Sequence, residues 1–252
     1  MSSNDVDLLN TSSLEPAPTR RNRIALLSVC LAALMFSLEI SSVPVILPTL
    51  ESVLHSDFKD IQWIMNAYTI ACVSVLMATG TLADRFGRKR IFLISIALFA
   101  FSSLLCGLAN SLGMLVFARI LQGLAGGPLM PLSQSLLLRI FPPRMAPAAI
   151  GLWSMTTLIA PVLGPIVGGW ICDEYTWHWI FLINIPVALV CAFAVWHLVR
   201  RYEQPLLKNP IDTVGLILLI VWVGSLQLML DEGKNLDWFA SPMIVVLAAV
   251  AV

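Results

Sequence analysis

Glu39 and Arg119 are charged side chains set deep inside long apolar runs. Glu39 is the only carboxylate so placed. A carboxyl group surrounded by hydrocarbon holds a proton more readily than one in water, which makes Glu39 a candidate proton carrier. A structural, hydrogen-bonded glutamate is the other reading. Arg119 lies seven residues beyond Leu112, the expected helix start, and so about 10 Å deep. A cation there is costly against lipid and requires a cavity or a partner, unless its side chain snorkels to the interface. Counted back from Leu47, Glu39 is about 12 Å deep from the same side. The two charges are level. They are expected to face each other as a proton-coupling pair, each less costly beside the other than alone. Arg119 would favour the ionised carboxylate and burial the neutral acid.

Two further groupings carry physical meaning. Gly80-Thr81-Leu82-Ala83-Asp84-Arg85-Phe86-Gly87-Arg88-Lys89-Arg90 joins two apolar runs. Gly80 would let neighbouring backbones approach, and Gly87 would permit a sharp turn. Asp84 could accept hydrogen bonds from the loop guanidinium groups or face a helix amino terminus. An ordinary basic turn is the plainer alternative. Further on, Ala160, Gly164 and Gly168 recur every four residues, a flat stripe for close helix packing. Pro161 and Pro165 each lack an amide donor and should bend that helix, as a gasket between two states would require. A merely kinked packing helix is the bland counterpart.

No nucleophile–base pair, phosphate-cradling GxxxxGK loop or metal-ligand cluster appears, so the expectation is a non-enzyme without a cofactor. The five cysteines lack CxxC spacing and read as packing residues. His55, His178 and His197 sit near the ends of apolar runs and receive no ligand role.

The elements that must position these residues follow from composition. Of 252 residues, 58% are hydrophobic and 12% charged, and the mean hydropathy is +0.87. Soluble domains carry about twice that share of charge. Fifteen basic residues balance fifteen acidic ones, which argues against a nucleic-acid partner. A polytopic membrane protein is the reading. Residues 1–22 form a polar, disordered tail. Spans are expected at about 24–47, 61–83, 91–108, 112–138, 148–171, 179–199 and 213–230. An eighth run from about 239 reaches only about 21 Å by Val252, so the chain is expected to stop inside a helix. The first span is a signal anchor, not a cleaved signal. The clusters Arg20–Arg23, Arg85–Arg90, Arg139–Arg144 and Arg200–Lys208 hold twelve Lys and Arg, against Lys59 and Lys234 on the other side. The amino terminus is therefore expected in the cytoplasm.

The Gly80–Arg90 segment resembles the loop signature of the major facilitator superfamily. Arg119-Ile120-Leu121-Gln122-Gly123 is similar to the R-x-x-Q-G motif of that superfamily. Gly151, Ala160, Pro161, Gly164, Pro165, Gly168 and Gly169 resemble its antiporter signature, with Ala160 where glycine is usual. The segment from Leu38 to Pro48 is similar to that of 14-helix drug:proton antiporters. Glutamate there replaces aspartate, Ser41 replaces threonine, and Pro44 stands where asparagine is usual. Ala125–Leu136, Leu152–Thr156, Trp177–Pro186 and Gly224–Lys234 look like the EmrB-type multidrug exporters.

The resemblance implies an all-α fold, with residues 23–200 as an amino-terminal six-helix bundle of three-plus-three inverted repeats. Residues 201–252 would be a cytoplasmic loop, a seventh helix and a partial eighth. It implies export of hydrophobic or cationic drugs in exchange for protons across a bacterial inner membrane. Its implied partners are the lipid bilayer, a drug-like substrate, a periplasmic adaptor and an outer-membrane channel. Export of an endogenous amphipathic metabolite and a non-transporting remnant are the alternatives. Methionines and aromatics could line a soft, promiscuous pocket.

Overall fold

The structure, a computed structural model, describes residues 19–198, 213–233 and 238–251, and no strand occurs among them. The tail through residue 18 lies outside the described residues, as do Arg200, Arg201, Lys208 and Lys234. The helices are α1 (Arg20–Leu54), α2 (Phe58–Ile61), α3 (Trp63–Phe86), α4 (Arg88–Gly107), α5 (Leu112–Gly126) and α6 (Leu129–Ile140). They continue as α7 (Ala146–Glu174), α8 (His178–Leu182), α9 (Asn184–Leu198), α10 (Thr213–Glu232) and α11 (Pro242–Val250). Among the described residues five spans are long and apolar enough to cross a membrane, and the bent Phe58–Phe86 pair makes a sixth. The chain is a multi-pass membrane protein. Its exposed surface is apolar, as Leu98 and Phe101 on α4, Leu158 and Val162 on α7 and Phe193 on α9 show.

Helix boundaries differ from expectation where proline and hydroxyl residues act. The first span was expected to end at Leu47, yet α1 continues through Pro44 and Pro48 to Leu54. A membrane helix tolerates such residues because neighbouring helices and Ser or Thr side chains satisfy the freed backbone groups. The fourth span breaks at Gly127–Pro128, between α5 and α6. The sixth breaks at Ile183, where Pro186 cannot donate to the Leu182 carbonyl. Helix α7 runs as one helix across Pro161 and Pro165. The 52° bend of the second span falls around Leu76–Ala78. There the Ser74 and Thr79 hydroxyls donate back to the Ile70 and Val75 carbonyls, a pattern that bends helices.

Two apolar cores lie one above the other. One gathers Phe36, Phe99, Ala125 and Ala188, and the other Val43, Cys106, Ala118 and Phe181. In α1, α4, α5 and α9 the residues between those markers include Glu39, Ser103, Gln122 and Asn184, all buried. A polar layer is thus enclosed between two hydrophobic ones.

Candidate functional site

Within that layer Arg119 donates from Nη1 to Glu39 Oε1 at 3.0 Å and to Gln122 Oε1 at 2.8 Å. Its Nε donates to the Ile64 carbonyl on α3 at 3.2 Å. The Tyr68 ring lies 3.8 Å beneath the guanidinium carbon, a favourable cation–π contact. Arg119 is 0% and Glu39 2% exposed, so the guanidinium does not snorkel. Gln122 is fixed in turn by donating to Ser103 Oγ at 2.8 Å. Asn184, the first residue of α9, donates to Glu39 Oε2. Glu39 is therefore held from α5 on one oxygen and from α9 on the other.

The backbone makes this possible through Gly123. A Cβ there would collide with the Tyr68 carbonyl and lie 2.9 Å from Ala71 Cβ. Only glycine lets α3 come close enough to offer its carbonyl to Arg119. Gly126 and Gly127 are similarly pressed by Phe36 and Cys72. On the other side, α1 seats on α7 along Ala160, Gly164 and Gly168. Ser41 Oγ donates to the Ala160 carbonyl at 3.0 Å, and Ser42 Oγ to the Gly164 carbonyl at 3.0 Å. A Cβ at Gly164 would overlap Ser41, and one at Gly168 would come within 3.1 Å of Ser42 Cβ. Gly151 and Gly169 instead meet open space, and Pro161 and Pro165 are exposed.

The Gly80–Arg90 loop is remote, about 24 Å along α3 from Tyr68 to Asp84. Gly87 adopts φ 95°, the positive region expected of the turn. Asp84 accepts from Arg88 at 2.9 Å, and Arg88 also donates to Ser135. Lys89 donates to the Trp196 carbonyl at 3.0 Å, capping α9. Arg85 is exposed and leans over Phe86. Gly80 lies on an exposed face, and a Cβ there meets nothing among the described residues within 4 Å.

Sequence reasoning missed Tyr68, Ser103 and Asn184. Asn184 carried a legible signal, as a lone amide in an apolar run two residues before Pro186. The other two carried none, since Tyr and Ser are ordinary in such helices. The three cysteines nearest these cores, Cys30, Cys106 and Cys191, are buried and free.

A small cavity adjoins the site, with a volume of about 100 Å³. Met35, Leu38, Glu39, Ile183, Asn184 and Val187 are among its walls.

A sequence profile described as Major Facilitator Superfamily matches residues 29–251. The chain is 45% identical over 226 residues to "Multidrug export protein EmrB" of Haemophilus influenzae, covering 90% of this chain and 44% of that protein. It is 43% identical over 229 residues to the protein of the same description in Escherichia coli, covering 91% and 45%. Against "Fatty acid resistance protein FarB" of Neisseria gonorrhoeae it is 43% identical over 225 residues, covering 89% and 44%. The chain thus spans less than half the length of these curated relatives. Among solved structures, the POT family transporter PepTSo superposes with a TM-score of 0.68 at 16% identity, covering 94% of this chain and 52% of that one. The proton:xylose symporter XylE gives 0.60 at 14%, covering 88% and 55%. These distant likenesses concern the fold alone. With its buried charge layer, its glycine-seated helix pairs and a match across nearly all of its length, the chain belongs to the Major Facilitator Superfamily.

Proposed function

We propose that this chain is the amino-terminal portion of a proton-coupled exporter that moves hydrophobic or cationic drugs out across a bacterial inner membrane. The observation that carries this reading is the Glu39–Arg119 pair, 3.0 Å apart and closed off from solvent. Structural ion pairs are costly inside a membrane, and those retained there commonly serve transport. A proton taken up by Glu39 removes the counter-ion of Arg119, which keeps Gln122 and the Ile64 carbonyl. A cationic substrate could compete with the proton for the same carboxylate. Alternating access would need a second bundle facing this one. The amino terminus would lie in the cytoplasm, and the Asp84–Arg88 loop would tune the balance between states. A periplasmic adaptor and an outer-membrane channel would receive the substrate.

Similarity to a fatty acid resistance protein favours a second reading, export of an amphipathic metabolite. Glu39→Gln in the full-length protein distinguishes coupling from mere structure. Proton-gradient-driven efflux should vanish while the protein still inserts and folds. Unchanged gradient-driven efflux by that variant would remove Glu39 from the mechanism.

A further inference from the structure

Glu39 is held by two unlike partners. Arg119 belongs to a network that persists without the carboxylate, since it also donates to Gln122 Oε1 and the Ile64 carbonyl, and Gln122 is anchored on Ser103. Asn184 differs. Among the described residues its side chain bonds only Glu39. It opens α9 directly after Ile183. It also shares with Glu39 the wall of the cavity of about 100 Å³. That volume is smaller than the roughly 150 Å³ void that admits benzene and well below the roughly 300–1,000 Å³ of a drug site. It has room for a side chain to turn or for water, not for a drug.

An amide is the one neutral side-chain group carrying both a strong N–H donor and a carbonyl acceptor on the same carbon. An ionised carboxylate accepts only, whereas the protonated form must also donate. We infer that Asn184 is a positioning residue for Glu39. Its amide donates to the ionised carboxylate and, turned over beside the cavity, accepts from the protonated carboxyl. Glu39 then keeps a partner on α9 in both proton states, and protonation moves its principal bond from Arg119 on α5 to Asn184 on α9. The proposal rests on Glu39 being the proton site.

The groups facing Glu39 are few. Arg119 and Gln122 come from α5, Tyr68 from α3 and Cys106 from α4. The residues of α7 at the cavity, Val167, Gly168 and Ile171, are not ionisable. Asp173 and Glu174 close α7, His178 of α8 stacks on Trp177, and Lys59 and Asp60 on α2 and Arg139 on α6 lie towards the ends of α1. Those ends are more than about 20 Å along the helix from residue 39.

The test is infrared difference spectroscopy of the full-length protein in lipid nanodiscs across a pH series. The carbonyl stretch of protonated Glu39 is identified as the band lost in Glu39→Gln. In Asn184→Leu, which keeps the heavy-atom count and branching and removes both hydrogen-bonding functions, the band should move to higher frequency. Its titration should be displaced by about one pH unit, the difference between a hydrogen bond to the charged carboxylate and one from the neutral acid. Asn184→Ser, a smaller change that leaves a hydroxyl, serves should the leucine variant not fold, and should displace the band less. A band unchanged in position and titration in either folded variant, even with a lowered melting temperature, overturns the role of Asn184 and leaves Glu39 as the proton site. If the parent shows no Glu39-dependent band at any pH, both readings fall together.

Discussion

Alanine at Gly123 tests whether the closeness of α3 and α5 holds the charge layer together. Its methyl group would overlap the Tyr68 carbonyl and approach Ala71 Cβ to 2.9 Å and the Cys72 nitrogen to 3.1 Å. Those atoms are backbone or backbone-bound, so the helices must part by roughly an ångström, at about 1–3 kcal/mol for overpacking. The Arg119 Nε bond to the Ile64 carbonyl is already 3.2 Å long and would not survive the shift. Losing a hydrogen bond to a charged group costs about 1.5–3 kcal/mol more. The better helix propensity of alanine returns about 1 kcal/mol. The net is about 3 kcal/mol, or a melting temperature lowered by about 3–6 °C in a protein as long as the curated relatives. Intrinsic tryptophan fluorescence of the full-length protein in detergent would follow the transition. Gly151→Ala on α7 is the control, because a Cβ there meets nothing within 4 Å among the described residues. It should melt with the parent or slightly above. If Gly123→Ala melts with the parent, or Gly151→Ala falls by as much, the close-approach argument is refuted.

Two other changes probe the distant loop. Gly87→Ala puts a side chain at φ 95°, ψ 128° and should cost about 1–3 kcal/mol, visible in the same melting experiment; an unchanged transition would show that the turn relaxes freely. Asp84→Asn breaks a half-exposed ion pair and should shift stability by less than about 1 kcal/mol. If the loop tunes conformational balance, that variant should turn over more slowly while equilibrium drug binding stays within a few-fold, and a large loss of binding in a folded protein would contradict this.

What could be foreseen depended on how rare a residue is in its surroundings. A carboxylate and a guanidinium in hydrocarbon have few tolerable placements, so depth counting set Glu39 level with Arg119, and the inverted repeat implied by the resemblance paired their helices. The small-residue stripe was legible for the same reason, since Ala160, Gly164 and Gly168 fall on one face at a helical period. Helix ends were harder. Proline at 48 stops a helix in water, yet α1 continues, because the surrounding helices and not the local sequence settle the unpaired groups. The bend near Leu76 depends on hydroxyl groups whose rotamers no periodicity reveals. Asn184 went unassigned because an amide is a partner, and its meaning is visible only beside the group it serves.

The glycine seams have a mechanical consequence. Helices α1 and α7 are stitched by hydroxyl-to-carbonyl bonds one turn apart, and α3 and α5 are pressed together without intervening side chains. Each couple is a stiff plate. The backbones of α1 and α5 scarcely approach each other, so the plates meet through long side chains, Glu39 reaching from one and Arg119 from the other. A change in that bond is therefore applied at a joint instead of within a slab. It would appear as a tilt of one plate against the other, amplified by the length of the helices towards their ends.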